Sequence, residues 1–232
     1  MESRGQGELY LHWFVELAGL TRDEAVLEPG CGAGRMAEPL AGYLSATGSY
    51  DGFDVVRETI EWCERNIAPK HPNFRFRHVD VLNPAFNPEG QLDPKEFEFP
   101  YPAEAFDLVF LTSVFTHMLP PEVRHYLSEI HRVLRPGGRC LMTFFLLNEK
   151  SLDSVRAGHA ARRFAYEGEG YRYDVPDRPE RAVAYREEDV LGFLDQAGFE
   201  LNGPIRYGRW TSPRDRRGMD VGQDIVVVKR PD

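Results

Sequence analysis

Hydrophobic and polar positions along the chain switch repeatedly between a strand-like and a helix-like pattern. Short runs that are apolar, or that alternate with polar residues as β-strands do, occur at 26–28, 49–54, 74–79, 106–112 and 139–146. Apolar residues recur at helical spacing at 35–44, 120–134 and 187–197, and in a segment that ends at Ile67. Strands that alternate with helices predict an α/β fold whose mostly parallel sheet carries helices on both faces.

The beginning of the chain predicts one more helix. The segment 8–20 is amphipathic, with Leu9 and Trp13 on one face. This helix either packs against the sheet or forms a lid whose Tyr10 or His12 reaches a bound ligand.

Two further strands and two irregular segments complete the prediction. The strands at 199–207 and 224–229 have no helix between them, so we expect an antiparallel pair at the sheet edge, and thus seven strands with an antiparallel final strand. The segment 82–105 is rich in proline, asparagine and acids and predicts a surface excursion, whereas 148–185 is rich in arginine, glycine and tyrosine and predicts a cap or insertion. The whole chain, 1–232, is predicted to form one domain.

Composition narrows the class of protein. With 232 residues, of which 42% are hydrophobic, the chain can bury a sizeable core. A net charge of -9 argues against a general affinity for nucleic acid or for an anionic membrane. The three cysteines, Cys31, Cys63 and Cys140, lack the paired spacing of a metal or disulfide framework. Since the first residues are polar and no apolar run has membrane-spanning length, we expect a cytoplasmic protein without a metal.

A glycine-rich loop joins the first strand to the helix that follows it. Its sequence is Glu28-Pro29-Gly30-Cys31-Gly32-Ala33-Gly34. Glycines at alternate positions let the backbone adopt positive φ and approach a ligand closely. Arg35 stands where the dinucleotide fingerprint has its third glycine, and the loop lacks the lysine of a phosphate-binding P-loop.

Acidic residues end the first three predicted strands, where ligands bind in such sheets. Asp54 lies 20 positions past Gly34, where an acid can accept both ribose hydroxyls. Asp80 could accept from the exocyclic amine of a base, and Glu28 could attract a cationic amino-acid group. Singly, each acid could be a solvated strand end. Together they favour a nucleoside that carries no phosphate chain.

Eight motifs follow one another in a recognisable order. The first five are Glu28-Pro29-Gly30-Cys31-Gly32-Ala33-Gly34, Gly52-Phe53-Asp54, Val79-Asp80-Val81, Phe106-Asp107-Leu108-Val109 and Arg132-Val133-Leu134-Arg135-Pro136-Gly137-Gly138. These resemble the successive motifs of class I S-adenosylmethionine-dependent methyltransferases over about residues 9–147. The other three are Ser113-Val114-Phe115-Thr116-His117, Tyr126-Leu127-Ser128-Glu129-Ile130 and Phe144-Phe145-Leu146-Leu147-Asn148, and they are similar to a bacterial subgroup that acts on small metabolites and glycans.

The resemblance implies a Rossmann-like fold, S-adenosylmethionine as cofactor, S-adenosylhomocysteine as product and no metal. It implies Asp54 on the ribose, Asp80 near the adenine with Val55 and Val81 flanking it, and the loop backbone along the methionine part. The predicted cofactor-binding residues are Glu28, Gly30, Cys31, Gly32, Asp54, Val55, Asp80, Val81 and Thr112.

Methyl transfer from a sulfonium requires mainly alignment, and a base only where the nucleophile arrives protonated. His117 follows the fourth strand and is the candidate base, although it could equally be a histidine that hydrogen-bonds its own loop.

Arginines and tyrosines of 148–185, and a second arginine cluster at 206–217, suit an acidic or polyhydroxyl acceptor, or else form solvated surface. The predicted acceptor-binding residues are Tyr10, His12, Tyr171, Tyr185 and Arg209.

The sequence thus predicts O-methylation of a small molecule, such as a sugar or a natural-product hydroxyl, by a monomer or homodimer without nucleic-acid or membrane partners. N-methylation, intramolecular cyclisation of the cofactor's aminobutyryl group, and non-catalytic cofactor binding remain alternatives. Incubation with the cofactor alone separates cyclisation from methyl transfer, because only a cyclase consumes the cofactor without an acceptor, whereas a non-catalytic protein would bind the cofactor without turnover.

Overall fold

The centre of the molecule is a seven-stranded sheet in which six strands run in one direction and one runs against them. The computed structural model describes residues 2–212 and 222–232. Within them the strands of this sheet and of a smaller one are Ala25–Pro29 (β1), Ser49–Asp54 (β2), Phe74–His78 (β3), Phe106–Leu111 (β4), Leu134–Phe144 (β5), Leu146–Leu147 (β6), Tyr166–Gly168 (β7), Tyr171–Tyr173 (β8), Val183–Arg186 (β9), Glu200–Leu201 (β10) and Asp224–Lys229 (β11). The large sheet has the order β10-β11-β5-β4-β1-β2-β3, and β11 is antiparallel to both of its neighbours.

Helices cover both faces of this sheet. They are Glu2–Glu16 (α1), Ala37–Tyr43 (α2), Arg57–Asn66 (α3), Pro120–Val133 (α4), Glu149–Arg156 (α5) and Glu187–Gln196 (α6). Val26 of β1 packs into an apolar cluster with α1, α2 and α3, whereas the next residue, Leu27, packs into a cluster with α4 and α6. This alternation is what a strand buried on both faces requires. The predicted Rossmann-like α/β fold, with its antiparallel final strand, is confirmed.

Several boundaries differ from the predicted ones for local reasons. Helix α1 runs from Glu2 to Glu16 rather than over 8–20. Strand β5 begins at Leu134, ahead of the predicted turn at 135–138. The pairing with β4 jumps there from Phe106↔Leu134 to Leu108↔Arg139, so the turn is an irregularity inside a longer strand.

The predicted strand at 199–207 is wrong beyond Leu201. Only Glu200–Leu201 pairs as a strand, and Arg206 makes an isolated bridge to Ile225. Gly203 has a φ of +103°, and Pro204 has no N–H to donate. These two residues end the strand.

The two irregular segments have more structure than their sequences indicated. Within 148–185, β7 and β8 join β9 and β6 in a four-stranded sheet that the sequence did not predict. Phe97 and Phe99, from the predicted surface excursion at 82–105, are buried and contact the ring of Phe53. None of the helices in the described ranges combines the length and the apolar character needed to cross a membrane.

A buried carboxyl connects the large sheet to the segments beside the small one. Asp224, the first residue of β11, is almost completely buried. Its carboxyl oxygens accept hydrogen bonds from the N–H of Leu146 at 2.7 Å, the N–H of Gly208 at 2.8 Å and the indole N–H of Trp210 at 2.8 Å. Burial raises the pKa of this carboxyl to about 6. One side chain therefore connects β11 to β6 and to the segment that contains Gly208 and Trp210.

We expect Asp224→Asn to destabilise the protein. An amide nitrogen would face an N–H donor, which costs roughly 2 kcal/mol and lowers Tm by roughly 6 °C. The folded-state pKa of Asp224 lies above its usual 3.8, so the stabilisation from this group is complete below about pH 4 and is lost as the pH rises towards about 6. Thermal unfolding at several pH values should show this slope in the wild type and in the control Asp195→Asn, an exposed position of α6, but not in Asp224→Asn. An equal slope in all three proteins would contradict the assignment.

Candidate active site

A cavity of about 360 Å³ lies at the carboxyl ends of the central strands. Three parts of the chain build it: the loop after β1, the residues that end β2, β3 and β4, and a wall made by 82–94 and the start of α4. The lining residues are Gly30, Gly32, Phe53, Asp54, Val55, Val56, Thr59, Val81, Leu82, Asn83, Pro84, Phe86, Pro94, Thr112, Ser113, Val114, His117, Met118, Glu122 and Tyr126. This is the position at which parallel α/β sheets bind ligands.

The glycine loop folds back onto β2. The backbone N–H groups of Gly30 and Cys31 both donate to the carbonyl of Phe53, at 2.8 and 3.1 Å. Gly30 and Gly32 have φ values of +76° and +51°, which favour glycine. A Cβ on Gly32 would meet no atom within 4 Å, whereas a Cβ on Gly30 would lie 2.5 Å from Cγ2 of Val114. Gly30 therefore makes room for the turn after β4, and Gly32 leaves open space in the cavity.

Asp54 is an anchored carboxylate in the cavity wall. Its Oδ2 accepts from the N–H of Gly32 at 2.7 Å, and its Oδ1 accepts from the N–H of Val56 at 2.8 Å. Each carboxylate oxygen has a second lone pair, so two acceptor positions remain for a ligand's hydroxyls. Val55 and Val81 line the same cavity and offer apolar surface for a base.

The chemistry of the lining fits S-adenosylmethionine better than a nucleotide with a phosphate chain. Among the lining residues that the structure describes there is no lysine or arginine to neutralise phosphate. An anchored carboxylate would repel phosphate oxygens but suits ribose hydroxyls, and the space beside Gly32 would admit a ligand next to the loop backbone. No group of side chains that could hold a metal ion occurs in the described ranges.

The structure brings together six of the nine residues predicted to bind the cofactor: Gly30, Gly32, Asp54, Val55, Val81 and Thr112. Glu28 lies beneath the loop, fully buried, where its Oε2 accepts from the hydroxyl of Tyr50 at 2.5 Å and burial raises its pKa well above the usual range. The Cys31 side chain is buried against Gly52. Asp80 is not part of the lining, and its Oδ1 accepts from the Asn87 side chain at 3.1 Å.

His117 lies in the cavity wall, in the 3₁₀ turn Phe115–His117. Its Nδ1 is 2.8 Å from the carbonyl oxygen of Glu180, and since a carbonyl can only accept, Nδ1 carries the proton. Its ring meets that of Phe86 edge-on, with the ring centroids 5.0 Å apart. Burial lowers the pKa of His117. The hydrogen bond to Glu180 acts in the opposite direction but is the smaller effect, and the charges of Arg162 and Arg181 also lower the pKa. The neutral ring therefore has an unprotonated Nε2.

The residues predicted to bind the acceptor do not line this cavity. Tyr10 packs edge-on against Trp13 in the core and has a pKa raised to about 12 by burial, and His12 is exposed on α1. Arg209 lines a separate surface pocket beside Asp224.

The two tyrosines of the predicted acceptor set lie closer to the site. Tyr185 is completely buried, and its hydroxyl donates towards the carbonyl oxygens of Phe115 and Met118, so it supports the turn that carries His117. Tyr171 is half-buried. Burial raises the pKa of its hydroxyl, and the charges of Tyr173, Glu180 and Glu122 raise it further. The structure thus places Tyr171 near the wall made by α4 and Tyr185 behind the His117 turn.

Three of the six arginines in 148–185, the segment predicted to hold an acidic acceptor, pair with acids of the chain. Arg156 pairs with Asp153, Arg162 with Asp174 and Arg172 with Glu167. Arg214, Arg216 and Arg217 of the second predicted cluster lie outside the described residues.

The turn after β4 has a strained residue that the sequence did not reveal. Ser113 has a φ of +61°, which is uncommon for a residue other than glycine. Its N–H donates to Oγ1 of Thr143 at 2.8 Å, and that hydroxyl donates to Oε1 of Gln223 at 2.6 Å. The adjacent Val114 fills the space over Gly30. Strain held by neighbouring strands is typical of functional sites.

Sequence reasoning also missed Phe86, Glu122 and Tyr126 as cavity residues. Glu122 and Tyr126 are four positions apart on α4 and so lie on one face, next to the apolar face that the sequence did predict. The four-residue spacing of Glu122 and Tyr126 was visible in the sequence, but nothing in the sequence indicated that this face of α4 lines the cavity.

Comparison with known proteins agrees with this geometry. Residues 26–138 match the family model of the methyltransferase domain. The ubiquinone biosynthesis O-methyltransferase of Acinetobacter baylyi is 24% identical over 228 residues, which are 95% of this chain and 83% of that protein. Phthiotriol/phenolphthiotriol dimycocerosates methyltransferase 1 of Mycobacterium ulcerans is 34% identical over 131 residues, 56% of this chain and 39% of that protein.

A solved structure shares the fold over nearly the whole chain. It is the 1,6-didemethyltoxoflavin-N1-methyltransferase of Burkholderia thailandensis, with 1,6-didemethyltoxoflavin and S-adenosylhomocysteine bound. The TM-score is 0.60 at 18% identity, and the alignment covers 99% of this chain and 79% of that one. The chain spans only about a third to two fifths of two curated relatives that it matches, at 32% and 39% of their lengths. Residues 26–138, just under half of the chain, thus match the methyltransferase domain family, and the sheet order and the cavity at the strand ends agree with that match.

Proposed function

We propose that this chain binds S-adenosylmethionine in the cavity and methylates a hydroxyl of a small molecule. The observation that carries the proposal is the meeting of two features in one cavity: the anchored carboxylate of Asp54 and the neutral imidazole of His117. The first suits the nucleoside of the cofactor and the second suits a proton on the acceptor. A hydroxyl is favoured over an amine because a hydroxyl arrives protonated and needs a base.

The residues that would hold the cofactor follow from the lining. Asp54 would accept the ribose hydroxyls, Val55 and Val81 would flank the adenine, and the loop at Gly32 would lie along the amino-acid part. When bound, S-adenosylmethionine supplies an already activated methyl group. The work of the chain is then to hold the acceptor in line and to exclude water, which can lower a barrier by several kcal/mol.

His117 would take the proton of the acceptor hydroxyl at Nε2. The hydrogen bond from Nδ1 to Glu180 fixes the ring orientation and the tautomer. Phe86 packs on the ring and limits its rotation. Burial keeps the imidazole neutral at pH 7, which is the state a base requires.

We expect His117→Gln to lower kcat for a hydroxyl acceptor by roughly 100-fold, because positioned general bases contribute about 10²- to 10⁴-fold. Affinity for S-adenosylhomocysteine should not change. The wild-type rate should fall as the pH drops below the lowered pKa of His117, and the variant should lack this dependence. The matched control is His131→Gln, on α4 outside the cavity lining. An unchanged maximal rate in His117→Gln from about pH 6 to 9 would remove the base assignment.

The proposed function is tested by measuring S-adenosylhomocysteine formation with a panel of phenols, sugars and amines. We expect formation that depends on a hydroxylated acceptor. Consumption of the cofactor without any acceptor would indicate cyclisation, and turnover with amines alone would indicate N-methylation. Binding of the cofactor without turnover of any member would contradict the proposed activity.

A further inference from the structure

A carboxyl group that the proposed mechanism does not use lies in the cavity wall. Glu122, in the first turn of α4, lines the cavity and is only partly exposed. Its Oε2 accepts from the N–H of Leu119 at 2.7 Å, which fixes the side chain in one orientation. A carboxylate has a second oxygen, so a group in the cavity can still be bound by Glu122.

The charges around Glu122 do not neutralise it. Burial raises the pKa of Glu122 and is the largest effect. The hydrogen bond from Leu119 lowers this pKa, and the charge of Glu180 raises it. Lys95 acts in the opposite direction, but its Nζ lies 3.5 Å from a carboxylate oxygen of Asp93. An acidic ligand placed beside Glu122 would meet like charge at reduced dielectric, which is unfavourable.

Much of the wall around Glu122 and His117 is apolar or aromatic, and the lining residue Asn83 donates from its side-chain amide to the His117 carbonyl at 3.3 Å. Phe86, Met118 and Tyr126 line it, and Phe86 contacts the His117 ring. Such a wall suits the faces of a ring, and a polar group at each end orients it. His117 and Glu122 are two polar groups of this lining that could do so, since each can accept a proton or a hydrogen bond.

We propose that the acceptor is an uncharged ring compound with two hydrogen-bond donors, one of which reacts at His117 while the other donates to Glu122. This inference depends on the proposed function and narrows it. Glu122 is a specificity-determining residue that selects a donor and rejects a carboxylate. The charge of Glu122 disfavours the acidic acceptors suggested by the arginines in the sequence, and three of those arginines already pair with acids of the chain.

The test uses four phenols that differ only in the group remote from the nucleophile. They are 4-hydroxybenzyl alcohol, 4-hydroxybenzamide, 4-methylphenol and 4-hydroxybenzoate, each together with its meta isomer. Binding in the presence of saturating S-adenosylhomocysteine is measured by thermal shift and calorimetry, and turnover by S-adenosylhomocysteine formation. We expect the alcohol or the amide to bind at least about tenfold more tightly than the benzoate, with 4-methylphenol between them.

The variant Glu122→Gln isolates the charge, because its side-chain oxygen can still accept from Leu119. We expect the preference for the alcohol over the benzoate to fall about tenfold, with KM affected more than kcat. The matched control is Glu188→Gln, an exposed acid in the first turn of α6, which should behave as wild type. Equal binding of alcohol and benzoate by the wild type, no binding of any member, or an unchanged preference in Glu122→Gln would overturn the inference. Binding of S-adenosylhomocysteine alone, measured in the same proteins, separates such a result from failure of the proposed function.

Discussion

Replacement of Asp54 by asparagine is expected to weaken S-adenosylhomocysteine binding about 100-fold, since a hydrogen bond to a charged group contributes up to about 3 kcal/mol. Both oxygens of this carboxylate are already fixed by backbone N–H donors, from Gly32 and Val56. An amide would turn its NH2 group towards one of these donors, so that the loop or the residue after β2 must move. The same change removes the charge that would accept the ribose hydroxyls. Calorimetric titration measures the affinity directly.

The matched control is Asp51→Asn, in the same strand. Asp51 lies 3.6 Å from Arg75 and is not part of the cavity lining. Its variant should bind S-adenosylhomocysteine within about twofold of the wild type. Asp54→Asn with wild-type affinity would show that this carboxylate does not bind the nucleoside.

Gly30→Ala is expected to damage cofactor binding and the His117 turn together. Its φ of +76° costs an L-residue roughly 1 kcal/mol or more, and the added Cβ would lie 2.5 Å from Val114. Val114 must then move, and its carbonyl oxygen accepts from the N–H of His117 at 2.9 Å. We expect a loss of about 3 kcal/mol in the free energy of unfolding and at least tenfold weaker S-adenosylhomocysteine binding.

Two further variants separate the overlap from the backbone strain. In Gly30→Ala combined with Val114→Ala the overlap disappears while the strain remains, so part of the affinity should return. Gly42→Ala is the control, because a Cβ on Gly42 within α2 would meet no atom within 4 Å, and alanine favours a helix by about 1 kcal/mol. Full wild-type affinity in Gly30→Ala would contradict the coupling of the loop to Val114.

Patterns that depend on local order predicted the central sheet closely. Strands β2 and β11 have the predicted bounds, 49–54 and 224–229, because each is a compact run of buried positions closed by polar or glycine-containing segments. The glycine loop and Asp54 were also predictable, since both follow from the position of a strand end. Strand ends meet at one edge of a parallel sheet whatever the details of packing.

Features that depend on distant parts of the chain could not be predicted in this way. The small sheet consists of strands of two to four residues, too short for a period to be visible. The strained Ser113 depends on Thr143 and Gln223, 30 and 110 positions away. Glu28 was expected beside the ligand. It is instead buried under the loop, where it accepts a hydrogen bond from the hydroxyl of Tyr50, 22 positions away.

The acceptor side shows the same limit. Tyr185 is of a residue type that often binds ligands, but its hydroxyl donates to a backbone carbonyl within the fold. Glu122 has the position of an ordinary helix-capping acid, but it also lines the cavity. Both roles depend on contacts between distant parts of the chain, which the sequence alone does not show.

The central claim is that the cavity between Asp54 and His117 binds the methyl donor and presents the acceptor to it. A crystal structure of the chain with S-adenosylhomocysteine tests it most directly. We predict that the ribose hydroxyls lie on the Asp54 carboxylate, that the adenine lies between Val55 and Val81, and that the sulfur points towards the wall formed by His117 and Glu122. Binding at any other place, or with the sulfur directed away from His117, would contradict the account.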